Sequence, residues 1–277
     1  MEYPLLSLEL AREIEMAEAE AAVACAEKMQ GSPETGAAVE AVAGGFAIYC
    51  GANSPITQAV GLGLDGPVSK EEFDRLEEFY FSRKEPVRVE TCPLAHGSLI
   101  EHYRERGYSV SEFSNVMVRP VEKEAPAAIP AEIEIARVAD GEIDLWTLTV
   151  AQGFAEHFPV TQDLLDVMRL FASGKNTECY LARIEGKVVG GATLAARGRI
   201  AGLFGASTLP VYRKRGVQTA LLETRMERAA ELGCELAMSL AQPGSASQRN
   251  ITRRGFRTLY TRVKFEKAVP VAQAFED

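Results

Sequence analysis

The chain has 277 residues, and its 47% hydrophobic and 25% charged residues are typical of a globular protein rather than a disordered or fibrous one. This length is enough for two ordinary domains, each of which can bury its own core. A formal net charge of -9 argues against general nucleic-acid binding.

The charge is distributed unevenly along the chain. Residues 1–130 contain 22 acidic and 11 basic residues, a net of -11, whereas residues 131–277 contain 17 acidic and 19 basic residues, a net of +2. If an anionic ligand binds, the second half is therefore the more favourable place for it.

The beginning of the chain does not resemble a targeting segment. Residues 1–16 are acidic where a signal peptide is basic, and they offer no small-residue cleavage site. The uncharged run Ala41 to Leu64 is long enough to span a bilayer, but its glycines and the sequence GANSP (Gly51 to Pro55) favour two short strands joined by a turn. We expect a cytoplasmic protein without a membrane segment.

The cysteines and histidines do not form a metal pattern. The five cysteines are odd in number, scattered and never in a CxxC pair: Cys25, Cys50, Cys92, Cys179 and Cys234. Reduced thiols packed in the interior of a cytoplasmic protein are the expectation. His96, His102 and His157 have no ligand spacing with these cysteines, so we expect no metal.

Turn signals divide the rest of the first half into short elements. They are a strand at 56–64, a helix at 69–81, a strand at 86–92, a helix at 98–108 and a strand at 113–120. Ser69 and Glu72 form a capping box at the start of the first helix. The following segment, Arg119 to Glu132, mixes prolines, alanines and charges without apolar periodicity, which predicts a linker between domains.

The loop GLGLDG, Gly61 to Gly66, has the GxGxxG pattern of dinucleotide-binding loops, with Glu90 a plausible distance downstream. Its context weakens that interpretation, because residues 67–69 separate the last glycine from the helix and the first helical turn is acidic. An acidic helix start repels phosphate. We therefore interpret the loop as non-binding and keep dinucleotide binding as a less favoured alternative.

The second half is predicted to contain ten elements after the linker. They are a strand at 132–138, a helix at 141–158 capped by Asp140, a helix at 164–172, strands at 179–186, 188–196 and 200–209, a helix at 216–232, a strand at 234–240, a short helix at 245–254 and a strand at 257–267.

The last five of these elements repeat the order of the first half. The spacing between matching positions is nearly constant, at 148 residues from Gly107 to Gly255, 147 from Ser69 to Gly216 and 145 from Ile56 to Ala201. A constant spacing with the same order of elements predicts duplication of one α/β domain. We expect a first domain over residues 1–125 and a second over 131–277.

Three cations stand at the beginning of the helix predicted after residue 215. Arg213, Lys214 and Arg215 precede Gly216, and Pro210 ends the strand before them. The first N–H groups of a helix have no intrahelical partner and attract anions, and a glycine lets a bulky ligand approach the backbone. A phosphate or pyrophosphate site is favoured over a simple solvated run of cations.

At this turn the chain resembles the GNAT superfamily of N-acetyltransferases, whose motif is Q/R-x-x-G-x-G/A between the fourth strand and the following helix. RKRGVQ (213–218) matches that motif except at its last position, where Gln218 replaces the small residue. In the superfamily, backbone N–H groups of this turn hold the pyrophosphate of acetyl-CoA. The resemblance gives that role to Arg215, Gly216, Val217, Gln218 and Thr219.

The preceding strand supports the resemblance, which covers roughly residues 132–267. Gly205, within FGAST, is a candidate β-bulge. In the superfamily this strand splays from its neighbour, its backbone pairs with pantetheine, and an exposed N–H stabilises the oxyanion. Thr208 and Leu209 stand at the pantetheine position.

One family position departs from the pattern. The superfamily's closing motif usually ends in Tyr-Glu-Lys-Leu-Gly-Phe, and that tyrosine often protonates the leaving thiolate. Here the aligned stretch is ITRRGF, so Ile251 replaces the tyrosine and that general acid is absent. Ser247, Asn250 and Tyr260 stand nearby, and Asn250 is also a candidate cofactor-binding residue.

A base must take a proton from an ammonium acceptor before attack. Glu156 and His157 follow the first helix of the second half, where the superfamily forms its acceptor pocket, and they are the candidate catalytic residues. A solvated helix end is the alternative interpretation of this pair.

The resemblance implies two tandem GNAT-like α/β domains, each a mixed sheet flanked by helices. It implies acetyl transfer from acetyl-CoA, without a metal, to the amine of a small molecule or peptide. The first domain is expected to be a degenerate copy that shapes the acceptor pocket or a homodimer face. A catalytically inactive acyl-CoA-binding or sensor protein is the main alternative.

Overall fold

The computed structural model describes residues 2–29, 36–52, 54–122, 129–155, 159–174 and 176–270. These residues divide into two compact units. The N-terminal unit comprises Leu6–Ser114 and Tyr260–Asp277, and the C-terminal unit comprises Met1–Leu5 and Asn115–Leu259. The predicted domain limits of 1–125 and 131–277 refer to the order of repeats along the chain, and they stay a prediction.

The described residues form seven α-helices and eleven strands. The helices are α1 (Leu8–Met29), α2 (Lys70–Phe81), α3 (Gly97–Arg106), α4 (Ile143–Phe154), α5 (Gln162–Ser173), α6 (Val217–Glu231) and α7 (Ala246–Thr252). The strands are β1 (Ala38–Val42), β2 (Gly45–Tyr49), β3 (Gln58–Val60), β4 (Val87–Thr91), β5 (Ser109–Pro120), β6 (Ile133–Arg137), β7 (Thr177–Ile184), β8 (Lys187–Arg197), β9 (Ile200–Thr208), β10 (Leu236–Ala241) and β11 (Arg257–Lys267).

The C-terminal unit contains a mixed sheet in the order β6-β7-β8-β9-β10-β5. Its strands pair antiparallel except β9 and β10, which are parallel. A parallel pair requires a crossover, and α6 supplies it. The apolar face of α6 buries Leu222, Met226 and Ala229, whose helical spacing places them on one stripe.

The other layer of the C-terminal unit is also apolar. Trp146 and Val150 of α4 are fully buried, and they pack in one cluster with Val167 and Met168 of α5 and Leu181 of β7. The sheet of this unit is therefore covered by apolar helix surfaces, as the alternation of strands and amphipathic helices predicted.

The N-terminal unit repeats the parallel pair and its crossover helix, because β3 and β4 are parallel and α2 lies between them in the chain. Residues 263–267 of the last strand, β11, pair antiparallel with β4 in this unit. Helix α2 buries Phe73, Leu76 and Tyr80 in an apolar cluster. The order strand-helix-strand-helix-strand thus occurs in both halves, as predicted.

A charged cluster is buried in the N-terminal unit. Glu15 and Arg262 are fully buried, and Arg262 Nε donates to Glu15 Oε1 at 2.8 Å. The Tyr260 hydroxyl donates to the same oxygen at 2.8 Å, and Arg262 Nη1 lies 2.5 Å from Glu18 Oε2. Lys264 Nζ pairs with Glu90 Oε1 at 3.0 Å. We call these six residues the buried ionic cluster.

Several local predictions can be compared with the structure. The capping box of Ser69 and Glu72 at the start of α2 is confirmed. The cap predicted at Asp140 is wrong: α4 begins two residues later, with Glu142 at the cap position and no side-chain cap bond. A left-handed turn at Gly141 delays the helix, and the Glu142 carboxylate accepts from the Ala139 N–H.

The run Ala41 to Leu64 contains the two predicted strands, β2 and β3, which pair antiparallel across the GANSP segment. Sequence reasoning missed α1 and the hairpin partner β1. The five cysteines are free and buried, as expected of packed thiols. No helix among the described residues combines the length and the apolar character that a bilayer crossing requires.

Candidate functional site

The strands β9 and β10 part at the centre of the C-terminal unit. β9 pairs with β8 from Ile200 to Thr208, but it pairs with β10 only from Ile200 to Gly202. At the point of parting, the Ser239 hydroxyl of β10 donates to Leu203 O at 3.0 Å. A splay between parallel strands is thus present where the sequence resemblance placed it.

A β-bulge lies on β9 beside this splay. Gly191 faces Ser207 and Thr193 faces Phe204, so two residues of β9 face the single residue Ala192 of β8. Gly205 occupies the bulge with φ 56°, a left-handed conformation, and a Cβ there would lie 3.1 Å from Thr193 Oγ1. The bulge predicted at Gly205 is confirmed, and its left-handed φ favours glycine.

The cationic turn begins the helix α6. Gly216 is the cap residue, with φ 89° and no side-chain cap bond, and Ala220 N–H is the first to donate within the helix, to Gly216 O. Among the described residues, nothing accepts from the backbone N–H groups of residues 215–219. A row of unpaired N–H groups at a helix start attracts an anion.

The three cations of the turn have different surroundings. Arg213 Nε and Nη2 donate to Thr208 O at 3.3 Å and to Gly153 O at 3.0 Å. Arg215 Nη2 pairs with Glu132 Oε1 at 3.1 Å, with both side chains substantially exposed. Lys214 makes no ion pair within the described part of the chain. Arg213 therefore holds the turn to β9 and α4, and Lys214 is available to solvent or a ligand.

The residues at the end of β9 are already partly bonded. Gln218 Nε2 donates to Thr208 Oγ1 at 3.0 Å, which draws the long side chain toward the strand end. Leu209 N–H donates to Val189 O at 2.9 Å and Leu209 O accepts from Tyr212 N–H at 2.9 Å. The backbone of Leu209 is thus engaged within the protein, and its side chain is the part left to contact a ligand.

The region around Ile251 offers no hydroxyl to the site at that position. Ile251 is half-buried and packs against the core of the C-terminal unit, while Asn250 is exposed on α7. Arg254 Nη2 donates to Thr219 Oγ1 at 2.8 Å, so the end of α7 is joined to the first turn of α6. Tyr260 belongs to the N-terminal unit, where its hydroxyl donates to Glu15 and burial raises its pKa.

The candidate catalytic residues Glu156 and His157 lie outside the described residues. Their roles stay a prediction. The last described residues before them, at the end of α4, are held to the cationic turn through the bond from Arg213 to Gly153 O.

Sequence reasoning missed Arg225, which lies on α6 beneath the bulge. It is 3% exposed, and it donates to Leu221 O at 2.9 Å, to Thr193 O at 2.9 Å and to Phe204 O at 3.4 Å. Burial lowers the pKa of its guanidinium to about 10, so it is protonated at neutral pH. An arginine within a helix has no distinct sequence signal, since only the packing of α6 brings it to β8 and β9.

The GLGLDG loop of the N-terminal unit is bonded to neighbouring segments of its own unit. Gly63 N–H donates to Ala43 O at 2.9 Å and Gly63 O accepts from His96 N–H at 2.8 Å. Arg12 Nε donates to Leu64 O at 2.9 Å and pairs with Asp65 at 2.8 Å. The loop is bonded within its own unit, and the Ser69 hydroxyl accepts from the Glu72 N–H in the first turn of α2.

A protein family described as "Acetyltransferase (GNAT) family" matches residues 144–256. That range contains the splay, the bulge, the cationic turn and α7. No curated protein sequence matches the chain. Among the described residues, no group of three or more His, Cys, Asp or Glu side chains has the arrangement that a metal ion needs.

Solved structures share the fold over nearly the whole chain. A GCN5-related N-acetyltransferase from Kribbella flavida aligns with a TM-score of 0.63 at 18% identity, covering 92% of this chain and 97% of its own. A tandem GNAT protein from the clavulanic acid biosynthesis pathway aligns with a TM-score of 0.62 at 12% identity, covering 97% and 98%. A GCN5-related N-acetyltransferase from Sphaerobacter thermophilus gives 0.58 at 14% identity, covering 96% and 95%. The predicted fold class, tandem GNAT-like α/β, is confirmed by these likenesses.

Proposed function

We propose that this protein transfers an acetyl group from acetyl-CoA to the amine of an acceptor, because residues 144–256 match the GNAT acetyltransferase family, whose members are in general acyl-CoA-dependent N-acetyltransferases. Acetyl-CoA binds the C-terminal unit as a co-substrate. The acceptor is a small molecule or a peptide amine.

The observation that carries the proposal is the unpaired start of α6. Residues 215–219 present N–H groups without described acceptors, and Gly216 has φ 89°, a left-handed conformation that favours glycine. These groups fit a pyrophosphate, because each phosphate oxygen accepts hydrogen bonds and its charge complements the positive end of the helix. Lys214 is exposed and adds electrostatic attraction for the anionic ligand.

The splay between β9 and β10 fits the pantetheine arm of acetyl-CoA. Thr208 and the side chain of Leu209 lie at the end of β9, between the turn and the bulge. An extended pantetheine amide requires strand backbone without a neighbour, and β9 has no pairing with β10 beyond Gly202. Asn250, exposed on α7, is a further contact in this proposal.

The chemistry is direct attack by the acceptor amine on the thioester carbon. A C–N bond forms, the C–S bond breaks, and sulfur leaves as a thiolate with the bonding electrons. A base first takes one proton from the acceptor ammonium, so that the free amine attacks, and Glu156 and His157 remain the candidates for that base. The second proton leaves the nitrogen as the tetrahedral intermediate collapses to the amide, and both protons pass to water. Fixed N–H donors beside the bulge stabilise the oxyanion of the tetrahedral intermediate.

The test combines binding and turnover. Calorimetry is expected to show acetyl-CoA binding, and acetyl-CoA is expected to raise the melting temperature while NAD does not. A panel of amines, amino acids and peptides then reports free CoA thiol. Stabilisation by NAD without any effect of acetyl-CoA would overturn the proposal and favour the GLGLDG loop.

One observation favours an alternative function. Ile251 packs into the core where the family usually has a hydroxyl, so a protein that binds acyl-CoA without turnover is the second candidate. Such a sensor binds acetyl-CoA as tightly as an enzyme does, yet releases no thiol with any amine in the panel.

The N-terminal unit is proposed to be a degenerate copy. Its GLGLDG loop is bonded internally and the first turn of α2 carries Glu71 and Glu72, which disfavour an anionic ligand. In this proposal it does not bind CoA and contributes to acceptor recognition or to a homodimer face. Gel filtration with light scattering tests the second role, since a monomer excludes it.

A further inference from the structure

Arg225 is a buried cation without a carboxylate partner. It is 3% exposed, and among the described residues no carboxylate oxygen lies within 4.0 Å of its guanidinium. Its neighbour one turn along α6, Arg228, is instead paired with Glu178 at 2.9 Å and with Glu231 at 2.8 Å. Burying an unpaired charge is costly, so a fold retains it where the charge has a use.

The guanidinium is bonded at the bulge and not merely near it. Its Nη1 donates to Thr193 O at 2.9 Å and to Phe204 O at 3.4 Å, the facing pair of residues at which the register of β8 and β9 shifts. Phe204 is the second residue beyond the last pairing of β9 with β10, and Gly205 follows it in the bulge.

The carbonyls at the parting of β9 and β10 are therefore taken by side chains. Leu203 O accepts from the Ser239 hydroxyl and Phe204 O accepts from Arg225. A donor on a carbonyl polarises the whole peptide group, so the N–H of the same peptide becomes a stronger donor. The engaged carbonyl oxygens and the stronger N–H donor together make the splay electropositive beside Phe204.

We propose that Arg225 is a positioning residue that acts through the Phe204–Gly205 peptide and stabilises negative charge in the splay, in place of the hydroxyl that is missing at position 251. This inference rests on the proposed function. When the C–S bond breaks, sulfur leaves as a thiolate; a fixed cation lowers the energy of that anion without giving up a proton. Its proton is taken up later from solvent, and the transfer itself needs no general acid.

The sharpest test is the acidity of the bound thiol, which needs no knowledge of the acceptor. The ultraviolet absorbance of the thiolate gives the pKa of CoA bound to the protein as pH is varied. In the wild type we expect this pKa to lie below that of free CoA, and in Arg225→Met to rise toward the free value. A fold-stabilising role for Arg225 would leave the pKa of the bound thiol unchanged.

Kinetics supply the second measurement. Removing one preorganised donor typically costs about 100- to 1,000-fold in kcat, and an indirect effect through one peptide is expected to cost about 10- to 100-fold in Arg225→Met. The affinity for acetyl-CoA should change less than about threefold, because the pyrophosphate site lies at the other end of the ligand. Arg225→Lys keeps the charge and should recover part of both the acidity and kcat.

Arg228→Met is the matched control, since it removes a guanidinium from the same helix without touching the bulge. It should leave the bound-thiol pKa and kcat unchanged. If Arg225→Met does not fold, the test uses the wild type and Arg225→Lys. A thiol pKa of CoA bound to the wild type that equals the pKa of free CoA overturns the inference. A wild type that does not bind CoA overturns the proposed function instead, so the two failures are distinct.

Discussion

The starts of α6 and α2 occupy matching places in the two units but have opposite chemistry. Before α6, three cations and Gly216 precede a helix start with no side-chain cap. Before α2, Ser69 and Glu72 close a capping box on the first turn, and the preceding loop is bonded to its own unit. A helix start binds an external anion through unused N–H groups, and the capping box already uses two of those groups at the start of α2.

The interiors of the two units also differ in polarity. The α4 and α5 layer of the C-terminal unit is apolar and places Trp146 against Ala192 O in the bulge, at 3.3 Å. The N-terminal unit instead encloses the buried ionic cluster. The C-terminal unit thus contains the proposed ligand site, whereas the N-terminal unit holds charges whose partners lie inside the fold.

The largest expected effect concerns the buried ionic cluster. Arg262→Met leaves Glu15 and Glu18 without their cation, and removing one partner of a buried pair typically costs about 3–5 kcal/mol. Hydrogen exchange of α1 and β4 should accelerate strongly at pH 7. The exposed pair of Lys70 and Asp74 gives the control, because Lys70→Met should leave the exchange of those elements as it is. Equal hydrogen-exchange rates in Arg262→Met and wild type would show that the buried ionic cluster does not stabilise the N-terminal unit.

The second prediction tests the ligand site itself. Gly216→Val forces a β-branched residue into φ 89° and places a Cβ about 3.3 Å from Pro130 Cγ, so the loss of CoA affinity should be at least about 100-fold. Gly63→Val makes the same change in the GLGLDG loop. Calorimetry should find CoA affinity unchanged there, and a matching loss in both variants would mean that both units bind CoA.

The third prediction uses pH. Burial raises the pKa of Glu18, with Arg262 opposing this rise, so folding favours its protonated form. A carboxyl with a raised folded pKa stabilises the fold below its unfolded pKa of about 4.5, and this contribution is lost as pH rises through the folded pKa. Glu18→Gln has no carboxyl to titrate at this position. The stability of Glu18→Gln relative to wild type should therefore increase with pH. The total increase should be about 1.4 kcal/mol for each pH unit by which the pKa of Glu18 in the folded protein exceeds its pKa in the unfolded protein. A stability difference between Glu18→Gln and wild type that does not change with pH would contradict the raised pKa of Glu18.

The smallest effect is expected at Lys214. An exposed cation that only attracts CoA contributes little, so Lys214→Ala should lower CoA affinity less than about tenfold. The loss should shrink further in high salt, where charges are screened within about 3 Å. A hundredfold loss that persists at high salt would show a specific contact, and the backbone N–H groups would no longer be the main anchor.

Local signals predicted most of the elements in the chain. The capping box at Ser69, the bulge at Gly205 and the helix after Gly216 were each specified by residues within a few positions. The cap at Asp140 was wrong because a turn at Gly141 displaced the helix start. Helix α1 was missed since its buried face carries Glu15, a charge that hides the apolar stripe until its partner Arg262 is known.

The sequence by itself predicted the cationic turn as a candidate anion site, because a glycine, a strand end and a helix start stand together along the chain. It also determined the missing hydroxyl at Ile251. Only the tertiary structure decided which cation of the turn is free, since Arg213 is held by the carbonyls of Thr208 and Gly153 from distant elements. The same holds for Arg225: only the packing of α6 against β8 and β9 brings its guanidinium to the carbonyls of Thr193 and Phe204, which lie far from it in the sequence.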